Sequence, residues 1–197
     1  MQIITSVCAS LICTLLLTII EYKRSDAALA LWKRLFLLIS AQAGCAAGCI
    51  MKEYSIANIL FTVFLVSGLY VLSIEDLETR TVPSVFLNIM IMAGAVCTLI
   101  NITDGGAGRI IIFCLIFIVL FTAAKKEKLG RGTGDAKVIA ATALFMYPGM
   151  LFVALFMSLF IAMIYGIFIV ARKKSGIKTE LPFIPFLLAG TVISLLS

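Results

Sequence analysis

The chain has 197 residues, 62% of them hydrophobic and only 13% charged, with a formal net charge of +6 and a mean hydropathy of +1.17. A water-soluble domain carries about 25% charge, so this composition excludes one and specifies a helical protein that crosses a membrane several times. Histidine is absent, which removes Ser-His and Cys-His catalysis and histidine-ligated metal sites.

Residues 3–20 form the first apolar run. A basic stretch, 21–34, follows with Lys23, Arg24, Lys33 and Arg34, and reads as a short cytoplasmic loop whose Trp32 suits the membrane interface. Residues 35–51 are the second run. Within it, Gly44-Cys45-Ala46-Ala47-Gly48 is the small-residue pattern that lets helices approach closely. Cys45 and Cys49 lie one turn apart and in principle could hold a metal, but the glycines favour a packing face, and no metal or cofactor is expected.

The third run, 56–74, ends at Glu75-Asp76-Leu77-Glu78-Thr79-Arg80-Thr81-Val82-Pro83. Ser84 opens the fourth run, 84–100, just behind the proline, where a helix tolerates one. Residues 110–124 are the fifth. The basic loop 125–137 then carries Gly132-Thr133-Gly134-Asp135-Ala136-Lys137. A short sixth segment, 138–146, is closed by Tyr147-Pro148-Gly149. Residues 151–171 are the longest clean run, and 181–197 close the chain with Pro182 and Pro185 in their first turn.

If all these runs cross, every Lys and Arg except Lys52 and Arg109 falls on one side. Basic residues mark the cytoplasmic side. The N-terminus is then outside, and Asp76 and Asp135 lie at the cytoplasmic face. Were the sixth segment not to cross, the basic residues 172–178 would move outside and weaken the asymmetry. The expected fold is an all-α polytopic membrane protein of about eight transmembrane segments, a single domain over 1–197. From Asp135 to Pro148 a helix reaches only about 20 Å, against a hydrocarbon core of about 30 Å. One end of the sixth segment must therefore sit below the membrane surface. If it is the Asp135 end, the carboxylate lies in a recess open to cytoplasmic water.

Asp135 has an ordinary structural reading. The glycines flanking Thr133 permit a turn, and an acid opening an apolar helix caps it and complements its dipole. Asp76, leaving the third run on the same side, supplies a second acid. Two carboxylates held together do not readily both ionise, so one keeps its proton. The charged one can take a proton from water while the neutral one hydrogen-bonds a peptide carbonyl under attack. That hydrolysis needs no metal, histidine or covalent intermediate. The charges alone leave other pairings open: Asp76 with Arg80 or Lys137, and Glu75 or Glu78 as the partner of Asp135.

At these residues the sequence resembles the type IV prepilin peptidases. Asp76 to Pro83 looks like their D-x6-P segment, and Gly132 to Lys137 matches their GxGDxK motif at its fixed positions. The stretch from Glu180 to Gly190 is similar to the proline- and phenylalanine-containing start of their last helix. The resemblance runs from about Ile56 to the C-terminus, with Ser84 standing where the family usually has Asn.

The resemblance implies an intramembrane aspartyl endopeptidase with Asp76 and Asp135 as the catalytic pair. Gly132 and Gly134 would shape the loop, and Lys137 would contact loop or substrate or simply snorkel to the interface. Glu75 and Glu78 would attract a basic leader or form a solvated face. The implied partners are a pilin-like precursor (type IV, Flp/Tad or pseudopilin) and membrane lipid, with no nucleic acid. The implied location is a prokaryotic cytoplasmic membrane. Larger members carry an N-methyltransferase region between the first two spans. Here only 21–34 stand there, which is similar to the short peptidase-only branch.

Presenilin-like and signal-peptide-peptidase-like proteases also use GxGD, but they place Tyr before the first Asp and carry Pro-Ala-Leu. Here Glu75 precedes Asp76, and Pro-Ala-Leu does not occur. A reading from another class is a small proton or cation transporter using membrane-edge aspartates. Against it, no acid lies mid-span and no pair of broken helices repeats. A non-catalytic assembly factor is a third reading, which the two intact aspartates oppose.

Overall fold

A backbone inside hydrocarbon must satisfy its own hydrogen bonds, which a helix does within one segment. The computed structural model follows that rule. It describes residues 4–5, 7–13, 28–52, 54–80, 82–102, 107–125, 133–171 and 181–197. In chain order these form α1 (7–13), α2 (Ala28–Met51), α3 (Ile56–Thr79), α4 (Ser84–Ile100), α5 (Ala107–Lys125), α6 (Thr133–Ala143), α7 (Pro148–Ala171) and α8 (Ile184–Leu196).

Among the described residues, Arg34–Met51, Ile56–Glu78 and Pro148–Ala171 are long and apolar enough to cross a membrane. Ser84–Ile100, Ala107–Ile116 and Ile184–Leu196 are shorter apolar helices. The outer face of α7 shows Phe152, Phe156 and Phe160 to the surroundings. That is a lipid-facing pattern, since hydrocarbon does not penalise exposed apolar side chains as water does.

Helix α8 packs against α7, α3 and α2. It comes this close because both contacts lack a side chain at the crossing. A Cβ on Gly48 of α2 would fall 2.7 Å from the Leu195 carbonyl oxygen, and one on Gly190 of α8 would fall 2.8 Å from the Ser158 nitrogen of α7. The small-residue stretch around Cys45 and Cys49 is thus a helix-packing face, and both cysteines are buried in it as free thiols.

The short α6 packs on α5 and α4. Val138 and Ala140 to Met146 are buried, so this segment is walled in by protein, where non-helical backbone is tolerated. The helix ends at Ala143, and Leu144 to Met146 turn sharply with N–H bonds back to Ala141 and Thr142. The Leu144 carbonyl, left without a helical partner, lies 2.8 Å from the Thr98 hydroxyl of α4.

Several helix ends differ from the apolar runs. α2 begins at Ala28, inside the stretch expected to be a loop, because Ala and Leu propagate a helix past the point where hydrophobicity stops. α3 continues to Thr79, so Asp76 stands on its last turn rather than beyond it. α5 begins at Ala107, ahead of the expected start at Ile110, which places Arg109 on its first turn, buried to 2% exposure.

Candidate active site

Ser55 caps the start of α3, its hydroxyl accepting from the Asn58 N–H. At the other end Arg80 closes the helix in the left-handed conformation, φ 53°, and its N–H donates to the Asp76 carbonyl at 3.2 Å. That turn leads through Val82 to Pro83, the N-cap of α4. The D-x6-P spacing is therefore one helical turn, a left-handed stop and a proline restart.

Asp76 is buried to 6% exposure. Its Oδ2 accepts a hydrogen bond from the Ile184 N–H at 3.2 Å. The first N–H groups of a helix have no intrahelical partner, and Ile184 is the first residue of α8. The Phe183 N–H also acts on this carboxylate, as does the Arg80 charge one turn on. Asp76 thus holds the start of the last helix, the stretch that Pro182 and Pro185 flank.

Asp135 stands in the first turn of α6, half-buried and outside the apolar spans. Burial first, and then the Asp76 charge, push its carboxyl above the ordinary range. The second cause brings the two acids into one electrostatic neighbourhood, although they lie 59 residues apart in sequence. A second contact joins the same two segments. A Cβ on Gly134 would fall 3.2 Å from Cγ2 of Val82 in the α3–α4 connection.

The other expected site residues divide. Lys137 is exposed and, two positions after Asp135, lies on the opposite side of α6. Glu78 bonds Arg34 of α2 through its carboxylate, so it ties α3 to α2. Glu75, beside Asp76, is partly buried. Gly132 lies outside the described residues. Sequence reasoning missed two partners, the Ile184 N–H and Val82. The flanking prolines were the only signal for the first, and nothing marked the second. Among the described residues no three His, Cys, Asp or Glu side chains cluster as metal ligands.

A single small neighbourhood therefore gathers three distant segments, with one carboxylate under backbone donors and another raised by it. The arrangement can keep one acid protonated beside a charged one, which is what acid-base hydrolysis of a peptide requires.

Comparison with known proteins bears on the family. The type IV leader peptidase family matches residues 63–167, over half the chain and a range that contains Asp76, Pro83, Gly134 and Asp135. The chain is 27% identical over 160 residues to the prepilin leader peptidase/N-methyltransferase of Bacillus subtilis (strain 168). That alignment takes in 81% of this chain and 63% of the relative's length. No solved structure gives a significant match. From its matched range and the motifs within it, the chain belongs to the type IV leader peptidase family.

Proposed function

We propose that this chain is an aspartyl endopeptidase that removes the short basic leader of pilin-like precursors, with Asp76 and Asp135 as its catalytic acids. The observation that carries the reading is the convergence on Asp76. The Ile184 N–H bonds its carboxylate, and its charge, after burial, raises the Asp135 carboxyl. One acid of the pair holds the shared proton and donates to the scissile carbonyl. The other, ionised, takes the proton from the attacking water. Gly134 keeps the Asp135 turn close to Val82, and Gly132 shapes the loop before it.

The basic leader meets Glu75 at the rim. Glu78 is engaged by Arg34 and serves as a brace. The site faces the cytoplasm of a prokaryotic cell membrane, with the N-terminus outside and eight crossings. This reading rests on the distribution of Lys and Arg. The interval 21–34 leaves no room for a methyltransferase region, so the activity is peptidase without N-methyl transfer.

Co-expression with a pilin-like precursor encoded near the gene tests the reading, with the product read by mass. Wild type should release the leader, and Asp76→Asn and Asp135→Asn should not, at equal membrane levels. Full cleavage by either variant removes that aspartate from the mechanism. Ion movement lost in the same variants, with no precursor cleaved by wild type, would favour the transporter reading.

A further inference from the structure

The far end of α3 holds a different arrangement. Asn58 and Asp76 are separated by about 27 Å along that helix. Beside Asn58 lies Arg109, on the first turn of α5 and 2% exposed. Its Nη1 donates to the Cys97 sulfur at 3.4 Å, and its guanidinium carbon sits 4.2 Å from the centre of the Tyr147 ring. Its Nε is buried with no hydrogen-bond partner. A guanidinium does not give up its proton. A thiol and a ring face offset little of the penalty for burying one, which calls for a negative charge. Among the described residues no carboxylate forms an ion pair with it.

A cavity of about 20 Å³ opens against this group, lined by Tyr54, Asn58, Thr62, Cys97, Arg109 and Tyr147 among others. The polar groups around it present donors. The Asn58 Oδ1 already accepts from the Asn101 amide at 2.8 Å, which leaves the Asn58 N–H₂ for another acceptor. The Tyr54 hydroxyl donates only to the Met150 sulfur at 3.3 Å, a weak acceptor. Tyr54 stands in the connection before α3, and burial, ahead of the charges near it, pushes its pKa up to about 12, so it stays a phenol with a proton to give.

We propose that the cavity bounded by Arg109, Asn58 and Tyr54 binds a halide-sized inorganic anion that neutralises the buried guanidinium and fastens α3 to α5. Size sets the class of ligand. A cavity of this volume admits about one water-sized species. A monatomic halide is only slightly larger than water, whereas phosphate and sulfate, with four oxygens, do not fit. Charge sets the sign, because a permanent cation and two neutral donors meet there.

The test is thermal unfolding of the purified full chain in non-ionic detergent. Sodium gluconate is exchanged for sodium chloride, bromide or sulfate at constant ionic strength. Chloride and bromide should raise the midpoint saturably by a few degrees, and sulfate should not. The halide response should vanish in Arg109→Gln. In Asn58→Asp, a fixed carboxylate takes the anion's place, so that variant should also lose the response, and it decides the matter if Arg109→Gln does not fold. A wild type indifferent to chloride overturns the proposal. An equal response to sulfate, or a wild-type response in both variants, overturns it as well.

Discussion

The two ends of α3 bury charge in opposite ways. At the Asp76 end, two acids from separate helices share a neighbourhood, and burial, followed by the Asp76 charge, makes Asp135 harder to ionise. At the Asn58 end, one cation is enclosed by a thiol, a ring and neutral amides. On the proposed reading the first arrangement stores a proton. The second creates a demand for a counter-charge instead. On that reading the same helix therefore carries a reactive end and an end whose electrostatics bear only on structure.

The sharpest separation of the two ends comes from removing one acid at a time. Asp76→Asn and Asp135→Asn should each lower the cleavage rate by about 10²–10⁴-fold, the range for loss of a general acid or base. Arg109→Gln should leave cleavage per folded molecule unchanged. A cleavage assay that found the opposite ranking would move the chemistry to the other end.

Gly134→Val comes next. Its branched side chain must displace Val82, and overpacking of this kind costs about 1–3 kcal/mol. The expected result is a large loss of cleavage, with partial recovery in the double variant Gly134→Val and Val82→Ala. If Val82→Ala gives no rescue in the same assay, the contact is not what the glycine preserves.

The coupling itself can be titrated. Asp76→Asn removes the neighbouring charge, so the Asp135 pKa should fall while the part due to burial stays. The carboxyl infrared band reports it, and an unchanged value would mean the two acids do not act on each other. The sign for stability follows from linkage. A raised pKa means the folded chain holds that proton more tightly than the unfolded one. The contribution of Asp135 is therefore full below the unfolded value of about 3.9 and is lost as pH rises through the folded one.

Smaller effects concern packing alone. Asp76→Asn keeps an acceptor for the Ile184 N–H, whereas Asp76→Ala does not. Loss of a helix-start acceptor costs about 1 kcal/mol, so the alanine variant should unfold more readily than the asparagine variant by that amount. Glu78→Gln breaks the bond to Arg34 at a partly exposed position. It should cost no more than about 1 kcal/mol and barely alter cleavage.

Much of this was legible in the sequence, for physical reasons. Apolar runs in a bilayer can only be helices, so every long helix was located by its core. Asp76 and Asp135 stood out because acids are scarce beside such runs. Helix ends were harder, because polarity changes at Arg34 or Glu75 while backbone hydrogen bonding does not. Arg109 fell just outside the expected fifth run for that reason, one position before Ile110. The tie between Glu78 and Arg34 and the seat of Gly134 on Val82 depend on chain segments many residues apart. No local pattern encodes them.

The bond from the Ile184 N–H to Asp76 has a consequence for how this site drifts over generations. The donor belongs to the main chain, so no exchange of side chain at position 184 removes it except to proline. Selection can fill the position with any apolar residue that packs there, and the aspartate keeps its companion. Proline alone is forbidden at 184 by this bond, while it stands at 182 and 185.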